Sequence, residues 1–291
     1  MKFKVLTLNV YGLSNLFVKN PDRKLRLKKL SQVFKSKLHP HHRKWDILLL
    51  QELWHKKDRN NFKKSNLYPY DVDIHYRNPA RKENIFDSGL LILSRFKILE
   101  KHRFNLSNKA KGKSLFNFGE RFVRKAVYLA KIKLPSKKKI WVANTHLASN
   151  YFPHGPDNKK LRKVQLKQIF HWLKRKVKKD PIIMGGDFNF GPSHQGYDGL
   201  WDELPTLLPG MMHDHHTKEI STFSEKNLLN IEGESGKLDH LFSSEHFKII
   251  NAGRALNEQI KLPNGKITNY SDHYGFESRY ELKVKNKLNL I

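Results

Sequence analysis

Apolar residues along the chain fall mostly into short runs bounded by glycine, proline or polar residues, a pattern typical of buried strands. Eight such runs stand out: FKVLTLNV at residues 3–10, DILLLQE at 46–52, SGLLILS at 88–94, KAVYLAKIKL at 125–134, KKIWVANTHL at 138–147, PIIMGGDF at 181–188, KLDHLFSS at 237–244 and HYGFESRYEL at 273–282. The chain is therefore predicted to be built mainly from sheets.

Two segments have apolar residues at helical spacing instead. The first helix is predicted to bury Leu27, Leu30, Phe34 and Leu38. The second is predicted to bury Leu161, Val164, Ile169, Trp172, Leu173 and Val177, with lysine and arginine opposite. The piece IKLPNGKIT indicates a hairpin that turns at Asn264 and Gly265. Many strands with few helices, and neither a repeat nor a linker, predict one α/β (α+β) domain over residues 1–291.

Polar side chains follow the apolar strands at the points where those strands end. Asp187 and Asn189, in the stretch GGDFNFGP, are two residues apart and would point to the same side of an extended backbone. Taken alone, they are also ordinary turn residues. The same coincidence recurs at other strand ends, with Asn9, Glu52, His146, Asp239, His240, Asp272 and His273. So many Asp, Glu, Asn and His residues at strand ends indicate a functional site.

This set of residue types suits metal-assisted hydrolysis of a phosphate ester. Glu52, with oxygen ligands from Asn9 or an aspartate, suits Mg²⁺, which prefers few carboxylates and keeps several waters. Mn²⁺ is an alternative ion. A histidine oriented by a carboxylate can take a proton from water. A second histidine can donate a hydrogen bond to the phosphoryl oxygens as negative charge develops.

The net charge of the chain indicates which class of substrate it attracts. The 291 residues include 56 Lys and Arg against 27 Asp and Glu, a formal net charge of +29. Such a field attracts anionic partners, either nucleic acid or a phospholipid membrane surface. A solvated lysine-rich surface would give the same composition. The absence of cysteine excludes disulfides, zinc–thiolate sites and a cysteine nucleophile.

The sequence shows no apolar run long enough to span a membrane and no secretory signal, so the expectation is a soluble protein of open localisation. We find no motif for an obligate protein partner and expect a monomer.

The motifs LNVYG, LQELW, DSGLLILSR, NTHLAS, GGDFN, LDHLF and SDHYG occur in this order along the chain. Together they resemble the endonuclease/exonuclease/phosphatase superfamily, which includes deoxyribonuclease I, repair exonucleases, inositol polyphosphate phosphatases and neutral sphingomyelinases. The resemblance implies a four-layer αββα sandwich, with two stacked mixed β-sheets flanked by helices and one Mg²⁺-dependent site.

The resemblance also implies roles for the polar residues. Glu52 would be the principal metal ligand, with Asn9 beside it. His273 would be the general base, oriented by Asp239, and Asp187 would position the attacking water. Three more, Asn189, His146 and Asp272, would contact the phosphate or a second metal position. His240 departs from the family, which usually has an aromatic residue there, and is interpreted as a packing residue.

In finer detail, the motifs are similar to those of the neutral sphingomyelinase branch. Lys125, which stands before AVYLAKIKL, would be a further substrate contact. That branch uses phospholipase C chemistry, in which water attacks phosphorus and a lipid alkoxide leaves. Its secreted bacterial members insert an aromatic hairpin into membranes, whereas the matching hairpin here offers only Leu262 and Pro263. The prediction is therefore a sphingomyelinase-like phosphodiesterase whose membrane binding rests on charge.

Two alternatives remain open for the substrate. A nuclease would explain the net charge and the segment 104–122, where lysines alternate with phenylalanines, a mix suited to tracking a nucleic-acid backbone while stacking bases. The same segment would suit an anionic bilayer, or be a surface loop. A phosphatase of inositol lipids is the third hypothesis. Finally, HDHH at 213–216 could bind a transition metal, although a polar loop has the same composition.

Overall fold

Two six-stranded mixed sheets form the centre of the computed structural model. The structure describes residues 1–13, 20, 22–35, 40, 44–74, 87–107, 123–149, 158–192, 199–213, 220–231 and 233–283. Across the first sheet, the strands are β11 (Phe247–Ala255), β14 (Gly275–Leu282), β1 (Lys2–Asn9), β2 (Ile47–Gln51), β4 (Leu91–Ser94) and β3 (Tyr70–Val72).

The second sheet has the order β5 (Ile98–Asn105), β6 (Ala126–Lys133), β7 (Lys139–His146), β8 (Ile182–Asp187), β10 (Asp239–Ser244) and β9 (Met211–His213). A small hairpin joins β12 (Ile260–Lys261) to β13 (Ile267–Thr268). The described helices are α1 (Arg23–Val33), α2 (Lys56–Lys63), α3 (Lys159–Val177) and the short α4 (Leu204–Leu207). None of them is long and apolar enough to cross a membrane.

Three apolar clusters hold these elements in four layers. The middle cluster lies between the sheets and joins residues such as Val5 and Leu49 of the first to Val142 and Ile183 of the second. A second cluster packs the outer face of the first sheet against α1 and α2. A third packs the outer face of the second sheet against α3 and α4. Both faces of each sheet are buried in the centre, which explains why central strands such as β2 and β4 are almost entirely apolar. The predicted αββα sandwich is confirmed.

Strand direction brings the polar strand ends to one edge of the sandwich. In the first sheet β1 runs parallel to β2, and in the second β7 runs parallel to β8, with His146 opposite Asp187. The antiparallel strand β10 begins where β8 ends, so that Asp239 also lies opposite Asp187. The antiparallel strand β14 begins near the end of β1, two residues after His273. All the predicted site residues therefore lie at the same edge.

Some details differ from the sequence predictions. Val164 is 41% exposed, because it lies on the side of α3 that faces away from the sheet, while Arg162 is buried instead. Leu262 packs in the core and is not exposed on the hairpin. The edge strands β5 and β11 escaped prediction because they carry charged and polar residues through much of their length. Leu38 and most of the segments 104–122 and 213–216 lie outside the described residues.

Candidate active site

Asp187 is the centre of the polar cluster at this edge. Its Oδ2 atom accepts a hydrogen bond from Nδ2 of Asn9 at 2.9 Å and lies 3.5 Å from Nε2 of His146. The same oxygen lies 3.9 Å from Nε2 of His273, while Oδ1 accepts the Asn189 backbone N–H at 2.9 Å. Burial alone would raise the pKa of Asp187, but the imidazoles and the amide donors outweigh it and lower that pKa.

The end of β8 reaches this position because residues 185 and 186 are glycines. A Cβ on Gly185 would collide with Leu241 and Leu49, which pack from either side between the sheets. A Cβ on Gly186 would collide with the backbone carbonyl of Thr145 on β7. The glycine pair therefore allows the close approach that places the Asp187 carboxylate beside His146.

His273 and Asp239 form a buried hydrogen-bonded pair. Nδ1 of His273 lies 2.7 Å from Oδ2 of Asp239, which fixes the ring and turns Nε2 towards Asp187. Burial would lower the pKa of His273, but the carboxylates of Asp239, Asp187 and Asp272 hold it well above the ordinary value. The Phe223 ring, 5.1 Å from the imidazole between centroids, packs against the pair. This imidazole therefore has a high affinity for a proton.

Glu52 follows β2 in a left-handed backbone conformation, with φ of 62°. Asn9 donates from Nδ2 to Glu52 Oε1 at 3.0 Å, so that this amide links Glu52 to Asp187. Among the described residues, the buried Oε2 atom of Glu52 has no hydrogen-bond donor. Burial and the neighbouring Asp272 raise the pKa of Glu52 to about 7. A left-handed non-glycine residue and an unsatisfied buried carboxylate oxygen are typical of a functional site.

His146 differs electrostatically from His273. Burial and the positive charge of Lys125 lower the pKa of His146 to about 3, so this ring is neutral at neutral pH. Lys125 is itself buried just before β6, and its charge also acts on Glu52. A neutral imidazole and a buried cation provide the site with one hydrogen-bonding ring and one fixed positive charge.

Asn189 also has a left-handed backbone, with φ of 55°, and its Nδ2 donates to the Leu147 carbonyl at 3.0 Å. Asp272 accepts a 3.1 Å hydrogen bond from Ser271 Oγ, and burial raises the pKa of its carboxyl group. The structure thus brings together all nine predicted residues: Asn9, Glu52, Lys125, His146, Asp187, Asn189, Asp239, Asp272 and His273. Of the separate 213–216 cluster, only the backbone of His213 is described.

Sequence reasoning missed three residues that support the cluster. Thr222 Oγ1 accepts the backbone N–H groups of Leu238 and Asp239, both at 3.0 Å, and so fixes the start of β10. Ser271 Oγ donates to the Asn9 carbonyl at 2.6 Å. The buried Arg26 side chain donates to the Tyr270 carbonyl at 2.6 Å. Thr222 and Arg26 carry no sequence signal, since neither lies at the end of an apolar run.

Several groups of the cluster could hold a divalent cation. Ligand atoms of Asp187, Asp239 and His273 lie within 4.8 Å of one another, all buried. Glu52 adds a carboxylate oxygen that has no donor among the described residues, and the neighbouring Asp272 helps to raise the pKa of the Glu52 carboxyl group. Buried carboxylates of this kind are compensated by a bound cation in many proteins.

The sequence matches the model of the Endonuclease/Exonuclease/phosphatase family over residues 6–273. The chain belongs to this family. Its members hydrolyse phosphoric esters, and the two sheets, the site at their edge and the order of the motifs all agree with that membership. No curated protein sequence matches this chain closely enough to add a relative.

Solved structures show the same fold at low sequence identity. Sphingomyelinase C from Streptomyces griseocarneus is 18% identical, with a TM-score of 0.71 over 96% of this chain and 99% of that one. A mutant of beta toxin from Staphylococcus aureus with bound magnesium ions is 20% identical, with a TM-score of 0.64 over 96% and 99%. A humanized D. rerio TDP2 is 17% identical, with a TM-score of 0.64 over the same shares. At these identities the likeness shows the fold.

Proposed function

We propose that this protein is a Mg²⁺-dependent phosphodiester hydrolase in which His273 is the general base. The observation that carries the proposal is the 2.7 Å pair of His273 and Asp239, whose free ring nitrogen faces a second carboxylate, Asp187. An imidazole that one carboxylate holds in a fixed orientation is suited to take a proton from water.

The residues present fit a magnesium ion. Glu52 would be the main ligand through its unsatisfied Oε2, with Asp272 and the Asn9 side chain beside it. Oxygen ligands and few carboxylates are what Mg²⁺ prefers, and Mn²⁺ accepts the same set. When bound, the ion polarises a phosphoryl oxygen and offsets its negative charge. A structure of a beta toxin mutant with bound magnesium ions, which has the same fold, supports the choice of magnesium as the ion.

The protein's own side chains then supply the proton transfer and the orientation. Nε2 of His273 removes a proton from water while the water oxygen attacks phosphorus. The bond from phosphorus to the leaving oxygen breaks, and the departing alkoxide takes its proton from solvent. Asp239 holds the His273 ring, and Asp187 accepts a hydrogen bond from the attacking water. Neutral His146 and Asn189 donate to the phosphoryl oxygens, and buried Lys125 supports them electrostatically.

The motif detail favours a sphingomyelinase-like phospholipase C. The segments around Asn9, His146 and Asp272 are similar to the neutral sphingomyelinase branch, and a solved sphingomyelinase C has the same fold. A nuclease is the second candidate, because a net charge of +29 suits a polyanion. In both cases the substrate carries a phosphodiester, and the difference lies in the leaving group.

Two parallel assays test the proposal. The purified protein in Mg²⁺ is given sphingomyelin vesicles, with phosphocholine release as the readout, and supercoiled plasmid, with nicking as the readout. His273→Ala is run beside it as a contamination control. Phosphocholine release by the wild type but not by the variant supports the phospholipase C activity. Plasmid nicking by the wild type but not by the variant supports the nuclease activity. Inactivity on both substrates, or equal activity of the variant, contradicts the proposal.

A further inference from the structure

A groove lies on the outer face of the second sheet, at the end of β8 that is remote from the active site. It runs between the C-terminal half of α3 and residues 208–211, and its volume is about 910 Å³. Ligand clefts in proteins typically measure about 300–1,000 Å³. Ile182, which begins β8 and lines the groove, is five residues from Asp187, about 16 Å along an extended strand. The groove is therefore separate from the catalytic cluster.

The inner surface of this groove is apolar. Five of its side chains belong to the cluster that packs α3 and α4 on the second sheet: Leu173, Val177, Ile182, Met184 and Leu208. Phe170 and Met211 also line the groove and are only partly buried against that cluster. The described residues thus leave part of this apolar layer open to solvent. A hydrocarbon chain that entered the groove would be removed from water at little cost in polar contacts.

Four lysines surround this apolar surface. Lys174 lies in the last turn of α3, Lys178 and Lys179 follow that helix, and Lys283 follows β14. None of the four forms an ion pair within the part of the chain that the structure describes. Lysines at the C-terminal end of a helix also interact with its dipole, but this explanation does not extend to Lys283. Cations from separate elements therefore converge on one apolar groove.

Two acids line the same groove without cancelling this charge. Asp180 accepts a hydrogen bond from Trp141 Nε1 at 3.2 Å and lies 3.9 Å from Lys131, which is outside the groove. Glu245 is the other acid beside the four lysines. An apolar interior with a positive edge complements a molecule that has a hydrocarbon body and one negative headgroup.

We propose that this groove binds a long-chain fatty acid, with the hydrocarbon chain on the apolar surface and the carboxylate among the four lysines. Each lysine ammonium group is a compact cation whose hydrogen bonds to a carboxylate are strengthened by charge. A polyanion such as nucleic acid would contact the lysines but would leave the apolar surface unfilled. The proposal goes beyond the proposed function and is independent of it, since no residue of the catalytic cluster lines the groove.

Isothermal titration calorimetry with decanoate and dodecanoate, in buffer without magnesium, tests the groove. Wild type is expected to bind dodecanoate at least about tenfold more tightly than decanoate, because each buried methylene contributes roughly a factor of four in affinity. Dodecyltrimethylammonium, which has the same chain and a positive headgroup, should not bind. This pair of results would show that the site uses both the hydrocarbon chain and the negative charge.

Two variants locate the binding in this groove. Met211→Trp should weaken dodecanoate binding at least about tenfold, because the larger side chain takes up space within the groove. Lys174→Gln combined with Lys179→Gln should weaken it at least about fivefold, because two cations are lost. The matched control is Lys160→Gln combined with Lys167→Gln, two exposed lysines of α3 outside the groove, which should bind like wild type. Circular dichroism is expected to show that all three proteins are folded.

Three results would overturn the proposal. Equal affinities for decanoate and dodecanoate would mean that the lysines bind anions without the apolar surface. Equal dodecanoate affinities of wild type and Met211→Trp would place the binding elsewhere. Dodecanoate binding that appears only after residues 284–291 are removed would assign the groove to that segment of the chain. Turnover of soluble bis(p-nitrophenyl) phosphate, which tests the proposed function separately, should be the same in wild type and Met211→Trp.

Discussion

The side chains of Gln51 and Asn144 meet in the interior, where Gln51 Nε2 donates to Asn144 Oδ1 at 2.7 Å across the two sheets. Asn144 Nδ2 in turn donates to the backbone carbonyls of Leu50 and Leu91, at 2.9 and 3.1 Å. Gln51 immediately precedes Glu52, and Asn144 lies two residues before His146. This polar contact therefore fixes the spacing between the halves of the active site that the two sheets carry.

Asn144→Leu should destabilise the fold, because it leaves Gln51 and two backbone carbonyls without their buried donor or acceptor. We expect the free energy of unfolding to fall by about 2–4 kcal/mol, measured by urea denaturation. Asn257→Leu, at an exposed position, is the matched control and should stay within about 0.5 kcal/mol of wild type. An Asn144→Leu protein as stable as that control would show that the contact between Gln51 and Asn144 does not contribute to the free energy of unfolding.

Glu52→Gln should raise the Mg²⁺ concentration that gives half-maximal turnover, by at least about tenfold. The change removes the negative charge of the proposed main ligand while it keeps the side-chain shape and leaves an oxygen for Asn9 to bind. A magnesium titration of the hydrolysis rate measures the effect. Glu225→Gln, an exposed glutamate, serves as the control. Identical magnesium titrations for Glu52→Gln and wild type would remove Glu52 from the ligand set.

Asp239→Asn should lower kcat by about 10²–10⁴-fold with a smaller effect on KM. The reason is that a neutral amide neither fixes the orientation of the His273 ring nor stabilises the protonated form of that ring as a carboxylate does. His273→Ala should lose at least as much activity. Both variants should keep a folded structure by circular dichroism, and His171→Ala, an exposed histidine, should retain full activity. If Asp239→Asn turned over substrate at the wild-type rate, Asp239 would have no part in the reaction.

His240 should contribute to loss of stability in acid. Burial and the charge of Lys237 lower its pKa to about 3, from an ordinary value of 6.5. Between these values the unfolded chain binds more protons than the folded one, so stability is lost as the pH falls through about 6.5 towards 3. Between pH 6 and pH 4, the free energy of unfolding should therefore fall in both proteins, but by about 2 kcal/mol less in His240→Phe than in wild type.

The aromatic surroundings of His240 make this substitution possible. Its ring lies among Phe188, Phe190, Trp201 and Phe242, with centroid distances of 4.9–6.1 Å. The variant loses the 2.8 Å contact of Nε2 with the Phe190 carbonyl, so its stability at neutral pH is expected to fall while its acid dependence flattens. An acid dependence of stability equal to that of wild type would contradict the buried, neutral histidine.

Much of the site could be predicted from the sequence because its residues follow apolar strands. Asp187 after PIIMGG and His146 at the end of β7 stand at the ends of mainly apolar strands, and parallel pairing brings these ends to one edge. The same runs predicted the strands, and the family resemblance predicted that these strands form two stacked sheets flanked by helices. The order of apolar runs and polar residues along the chain was enough to predict most of these positions.

Tertiary contacts explain what could not be predicted. The strand β5 reads ILEKHRFN and lies at a sheet edge, where one side needs no apolar residues. Val164 has a helical spacing to Leu161, but only packing decides which side of α3 faces the sheet. Thr222 acts through a hydrogen bond to residues 16 and 17 positions later, which leaves no local pattern. The opposite titration of His146 and His273 depends on which charges surround each ring.

The rate of bis(p-nitrophenyl) phosphate hydrolysis, titrated with Mg²⁺ for wild type and His273→Ala in parallel, tests the central claim most directly. The proposed chemistry predicts a rate that rises with Mg²⁺ in wild type and is lost in the variant. Hydrolysis that is independent of Mg²⁺, or equal in the two proteins, would contradict it.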